Sequence, residues 1–91
     1  MKKFAKLFEF EDIGQVLVMA VAGDDNPELQ FHFQPNNLGV CIVKTSFKGE
    51  DEDAQWDAVD KAFEMVDEER AYSMIKPEFD RMGDIFQGLA Q

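Results

Sequence analysis

The sequence predicts an α+β domain: a four-stranded antiparallel meander followed by two or three helices packed on one face of the sheet, which makes a two-layer sandwich. Short apolar segments separated by turn residues fill the first half of the chain, and helical spacing of apolar residues fills the second. The length of 91 residues suits one domain. We therefore predict a single domain over residues 1–91, with a β-sheet half at 1–48 and an acidic helical half at 49–91.

The strands are predicted from apolar patterning between turn residues. The stretch 29–34 alternates, with Leu29, Phe31 and Phe33 on one side of the strand. The stretch 15–22 is apolar throughout, which is typical of a strand covered on both faces. Short connections between strands favour antiparallel neighbours. The predicted strands are residues 4–10, 15–22, 29–34 and 40–47.

The helices are predicted from two apolar series at spacings of three and four residues. The step from Val66 to Tyr72 is six residues, so the series differ in phase and a break is expected at 67–70. Asp51 or Asp53 can cap the first helix, and Pro77 either begins a new helix or kinks a continuous one. The first series is Trp56, Val59, Phe63 and Val66, and the second is Tyr72, Ile75, Phe79, Met82, Phe86 and Leu89.

Charge is unevenly distributed along the chain. There are 19 acidic and 9 basic residues, a formal net charge of -10. Residues 1–48 hold five lysines and six acids, whereas residues 49–91 hold four basic residues and 13 acids. Binding to a phosphate backbone needs clustered Lys and Arg, so direct nucleic-acid binding is not expected.

Cysteine content and hydropathy indicate a cytoplasmic protein. The single cysteine, Cys41, excludes an intramolecular disulfide and any multi-cysteine metal site. The longest apolar run, residues 13–23, is about half of the roughly 20 residues that a membrane-spanning helix needs. Lys6 and the acids after it interrupt the apolar region that a signal peptide requires. We expect no export, no membrane span, no cofactor and no metal site.

His32 and Cys41 are the one pair that could support nucleophilic catalysis. If Asn36 and Asn37 form a two-residue turn, the two strands pair so that His32 lies opposite Cys41. Activation of a cysteine usually needs a helix N-terminus or nearby cations, and the flanking residues supply neither. We therefore predict that the protein is not an enzyme, with this dyad as the exception.

Five acids in the second half recur at spacings of 4, 3, 4 and 3. If residues 53–67 are helical, their carboxylates lie along one side of the helix, beside the apolar series that begins at Trp56. This acidic row predicts a non-enzymatic binding protein that contacts a basic surface of a partner protein and blocks its access to nucleic acid; the alternative is a solvated face that keeps the protein soluble. The acidic row is Asp53, Asp57, Asp60, Glu64 and Asp67.

The apolar stretch 15–22 supports an alternative function. Its side chains point to both faces of the sheet, whereas helices on one side cover only one face. Loops and the 4–10 strand could cover the second face. Otherwise the protein is a structural or assembly module that forms a homodimer through the sheet or through the C-terminal helix.

In its size, its acidic row and its single Cys41, the chain resembles small acidic proteins encoded by phages and mobile elements. Some of those proteins are inhibitors or DNA mimics, anti-restriction and anti-CRISPR proteins among them. The resemblance implies an accessory protein of the host cytoplasm, and it assigns no role to any individual residue.

Overall fold

The computed structural model describes residues 4–23, 25–35 and 39–89. Four strands are followed by two helices, as the sequence predicts. The strands form one sheet in the order β1-β2-β3-β4, and each pair of neighbours is antiparallel, so the sheet is a meander. The elements are β1 (Ala5–Phe10), β2 (Gly14–Val21), β3 (Glu28–Phe33), β4 (Cys41–Ser46), α1 (Glu52–Met65) and α2 (Glu68–Leu89).

One face of the sheet forms the core with the helices. Side chains alternate between the two faces of a strand, so every second residue of β2 and β3 points towards α1 and α2. Phe31 and Val18 are fully buried at the centre of this layer. The buried residues of the two strands are Val16, Val18, Ala20, Leu29, Phe31 and Phe33.

Helix α1 lies against β2 and β3. It begins after Asp51, whose Oδ1 accepts a hydrogen bond of 2.8 Å from the backbone N–H of Ala54, so Asp51 is the cap and Asp53 is not. Val59 and Phe63 are buried against the sheet, as the apolar spacing predicts.

A break separates the two helices at Val66 and Asp67, so it overlaps the predicted range 67–70 only at Asp67, and residues 68–70 belong to α2. Val66 is buried, and Asp67 caps α2 because its Oδ1 accepts a hydrogen bond of 2.8 Å from the backbone N–H of Arg70. Helix α2 continues through Pro77, so a third helix beginning at that residue is wrong. Of the second apolar series, Ile75 is buried, and the side chains of Phe86 and Leu89 lie outside the described residues.

Cations from other elements contact the C-terminal end of α1. The last turn of α1 itself contains no basic residue. Lys6 on β1 donates from Nζ to the carbonyl oxygens of Phe63 at 2.6 Å and Val66 at 3.2 Å. The same ammonium lies 4.4 Å from the centre of the Phe63 ring. Arg70 donates to the carbonyl of Met65 at 2.7 Å. These contacts satisfy carbonyls at the negative end of the helix dipole.

A hydrogen bond between Asp12 and Tyr72 links the turn between β1 and β2 to α2. The Tyr72 hydroxyl donates to Oδ2 of Asp12 at 2.5 Å, and Lys76 Nζ lies 3.8 Å from that oxygen and 2.9 Å from Asp80. The hydrogen bond from Tyr72 lowers the pKa of Asp12 and raises the pKa of Tyr72. The hydrogen bond to Asp80 raises the pKa of Lys76.

Candidate functional site

The acidic row runs along the solvent side of α1. Asp53, Asp57 and Glu64 are exposed, and Asp60 is half-buried. The prediction that one helix carries all five carboxylates is wrong, because α1 ends at Met65 and Asp67 lies in the break that follows. Four members therefore share one helix, and the fifth is exposed at the start of the next.

Local partners reduce the charge of the row only in part. Lys61 forms an ion pair with Asp57 at 3.0 Å, which is weak because both side chains are exposed. Asp67 lies at the N-terminus of α2, where its side-chain oxygen accepts the capping hydrogen bond. Asp53 and Glu64 form no hydrogen bond or ion pair with any residue that the structure describes.

The cations of the helical half are all engaged within it or with the sheet half. Arg81 pairs with Glu78 at 2.6 Å, and Lys76 pairs with Asp80 and Asp12. Lys61 pairs with Asp57, and Arg70 binds a backbone carbonyl, as described above. Because 13 acids accompany these four cations, the helical layer keeps a large excess of negative charge on its outer surface.

The structure places His32 and Cys41 on opposite faces of the sheet, so the conditional cross-strand pairing on which a dyad depended is wrong. His32 pairs with Ile42, and Cys41 pairs with Phe33. The register is shifted by one residue from the prediction, and such a shift moves a side chain to the opposite face of the sheet. His32 points away from the helices, where Nε2 donates to Oε1 of Gln30 at 2.9 Å, while Cys41 packs against the core. The predicted Asn36-Asn37 turn lies outside the described residues.

The second face of the sheet carries no helix in the part of the chain that the structure describes, and we refer to it as the open face. The register aligns one residue from each strand into a row across this face, and we refer to it as the central row. Leu7 is 55% exposed and Ile42 is 45% exposed at its two ends. The central row is Leu7, Leu17, His32 and Ile42.

A shallow groove lies at the end of the open face near the β1–β2 turn. It has a volume of about 480 Å³ and includes Leu7, Leu17 and His32 of the central row. Val40, which is 66% exposed, forms part of its wall. The sequence indicates that the β2 segment is apolar on both faces but does not identify Leu7 or Ile42, since their alignment depends on strand register.

Neither a metal-binding cluster nor a membrane-spanning helix occurs in the part of the chain that the structure describes. Within residues 4–23, 25–35 and 39–89, no three His, Cys, Asp or Glu side chains lie close enough together to hold a metal ion. Neither α1 nor α2 combines the length and apolar character needed to cross a bilayer.

Comparisons of the chain with protein-family models, with curated proteins and with solved structures found no match.

Proposed function

We propose that this protein is a non-enzymatic binding protein whose acidic helical layer contacts a basic surface of a partner protein. The observation that carries the proposal is the exposure of the row on α1. Asp53, Asp57 and Glu64 project into solvent from one helix, and only Asp57 has a lysine partner among the described residues.

The geometry suits a cationic partner because the carboxylates recur along one rigid element. Successive members from Asp53 to Glu64 are three or four residues apart, so they rise about 5 Å at each step and about 17 Å in total. A nucleic-acid-binding protein presents basic side chains along the path of the phosphate backbone. Occupation of that surface by the acidic row would block access to nucleic acid.

Electrostatic attraction of this kind makes association fast at low salt and weak at high salt. The test is capture of partners on the immobilised protein from a nuclease-treated lysate at low and high salt. The row variant carries Asp53→Asn, Asp57→Asn and Glu64→Gln. We expect it to lose the basic proteins that the wild type captures at low salt.

A matched control separates the position of the charges from their number. The variant with Glu9→Gln, Glu11→Gln and Asp25→Asn also removes three exposed negative charges, but from the sheet half. It should capture partners as the wild type does. Equal loss in both variants, equal capture by the wild type and the row variant, or no salt-sensitive capture at all would contradict the proposal.

A captured partner permits a direct assay of blocking. The wild-type protein should displace labelled DNA or RNA from the purified partner, and the row variant should need a higher concentration to do so. A partner that binds the wild type and nucleic acid simultaneously would leave the binding role intact and exclude the blocking role.

We propose self-association as a second candidate function, namely a structural or assembly module. It is favoured by the apolar side chains of the open face, of which Leu7 and Ile42 are about half exposed. Sedimentation velocity over a wide range of concentrations tests this candidate, and a protein that remains monomeric throughout would exclude it.

A further inference from the structure

We infer that the open face is the site at which a second copy of this chain docks, sheet against sheet, with central row packed on central row. The inference rests on the second candidate function and specifies its surface. Two sheets would stack between two outer helical layers, giving a four-layer arrangement.

The distribution of charge selects this surface for a partner that is itself strongly acidic. Each copy has a formal net charge of -10, and residues 49–91 supply most of it. The outward-pointing strand positions of the open face carry only three charged residues, namely Glu9, Glu28 and Lys44. Sheet-to-sheet docking therefore joins the least charged faces of the two copies.

Docking through this face also keeps the acidic layers apart. Stacked sheets lie about 10 Å from each other, and the helices lie beyond them on opposite sides. The separation of the two helical layers then exceeds the Debye length of about 8 Å at physiological ionic strength. Docking through the helices would instead bring the two acidic surfaces together.

The glutamines and His32 of the open face have hydrogen-bond partners within it, which lowers the cost of covering them, and Lys44, which has no partner among the described residues, lies on the edge strand β4, from which its side chain reaches solvent. His32 Nε2 donates to Gln30 Oε1 at 2.9 Å, and Gln30 Nε2 donates to Glu28 at 2.7 Å. Gln15 Nε2 donates to Glu9 at 3.0 Å. Because these groups already have partners within the face, a second copy need not supply hydrogen bonds to them.

The central row is self-complementary. In a dimer whose twofold axis runs along the strands, an end of the row on one copy faces the opposite end on the other, so Leu7 meets Ile42 of the second copy. Leu17 then meets His32 at the centre. Aligned sheets pack in this way, with strand directions about 30° apart.

The size of the face predicts a weak dimer. Four strands spaced about 4.8 Å apart and about six residues long cover roughly 19 by 20 Å, or about 400 Å² of projected area in each copy. A standard stable interface buries about 800 Å² of accessible surface on each partner. We therefore expect a dimer that forms only at high protein concentration.

The first test is the salt dependence of self-association, measured by sedimentation velocity. Screening reduces repulsion between two acidic copies while leaving apolar contact intact, so the dissociation constant should fall as salt rises. A dimer that weakens as salt rises would overturn the inference, because its contacts would be ionic.

The second test compares one substitution in two places. Ile42→Lys changes a side chain on the open face that is 45% exposed, and Ile85→Lys changes one on α2 that is 44% exposed. Ile42→Lys should raise the dissociation constant about tenfold or more, because the apolar contact of Ile42 with Leu7 of the other copy would be lost at both ends of a symmetric dimer. Ile85→Lys should change it by less than about twofold. Leu7→Lys supplies an independent open-face variant, and circular dichroism verifies that each variant is folded.

The outcomes separate the surface from self-association itself. A wild type that is monomeric at every concentration overturns both this inference and the second candidate function, and leaves the open face to another occupant. If Ile85→Lys disrupts the dimer and both open-face variants still form it, the protein self-associates through α2 and the open face is not the interface. A dimer that none of the three variants weakens overturns the open face in favour of another surface, such as strand edges.

Discussion

Replacing Lys6 with methionine should destabilise the fold by removing a cation from the C-terminal end of α1. The two carbonyls that Lys6 contacts, on Phe63 and Val66, lie 2.6 and 3.2 Å from Nζ. Hydrogen bonds from a charged donor contribute about 1.5–3 kcal/mol, and a cation at a helix C-terminus adds about 0.3–1 kcal/mol. The site is only half-buried, so we expect the free energy of unfolding to fall by about 2 kcal/mol. Methionine keeps most of the apolar stem that packs near the Phe63 ring.

Thermal and urea unfolding measure this effect. A loss of about 2 kcal/mol corresponds to a fall in Tm of about 8–16 °C for a domain of this size. Lys44→Met is the matched control, because it removes the same charge from an exposed position of β4 that forms no hydrogen bond or ion pair with the described residues. The control should change the free energy of unfolding by less than about 0.5 kcal/mol. Equal losses in both variants would refute the capping role and attribute the effect to net charge.

Three further predictions concern a helix cap, a turn and an acid-sensitive contact. Asp51→Ala removes the cap of α1 and should cost about 1 kcal/mol in urea unfolding. Gly23→Ala should lower Tm, because Gly23 has a φ of +66° and an added Cβ would lie 2.3 Å from a backbone oxygen. Gly39→Ala is the control and should leave Tm unchanged, because a Cβ added at Gly39 meets nothing within 4 Å. The hydrogen bond from Tyr72 lowers the pKa of Asp12 in the folded protein below its ordinary 3.8. This hydrogen bond therefore stabilises the fold above the ordinary pKa, and the stabilisation is lost as the pH falls through the lower pKa of the folded protein. Below pH 4, the Tm of the Tyr72→Phe variant should therefore fall less on acidification than the Tm of the wild type. Equal falls in Tm would contradict this prediction.

The elements of the fold follow from local pattern. The alternation through Phe31 and Phe33 predicts β3, and the spacing of Val59 and Phe63 predicts the buried side of α1. The change of phase before Tyr72 predicts the break between the helices. These features depend on side-chain periods of two residues in a strand and 3.6 residues in a helix. Both periods can be recognised within one short segment of the sequence.

The register of the third hairpin could not be predicted in the same way. The prediction rested on a two-residue turn at Asn36 and Asn37, and the observed pairing of Phe33 with Cys41 is one residue away from it. Several loop lengths fit the same turn residues, and each loop length selects a different register. For that reason the sequence placed His32 and Cys41 on one face, whereas the structure places them on opposite faces.

The acidic row was predicted as a set of spacings, and its surroundings required the fold. Local sequence identifies Lys61 as a partner of Asp57, since the two residues are one helical turn apart. It does not predict that Asp67 leaves the row to cap α2, because the position of the helix end depends on how Val66 packs into the core.

By itself, the sequence determined the α+β class, the four strands, the two amphipathic helices and the concentration of negative charge beyond residue 48. Each is a property of composition or of neighbours a few residues apart. Only the tertiary structure decided which face of the sheet the helices cover, and therefore that Leu7 and Ile42 remain open to solvent. It also decided that Lys6 stabilises a helix end 57 residues away. Contacts of this kind depend on how separate elements pack, and no local period encodes that packing.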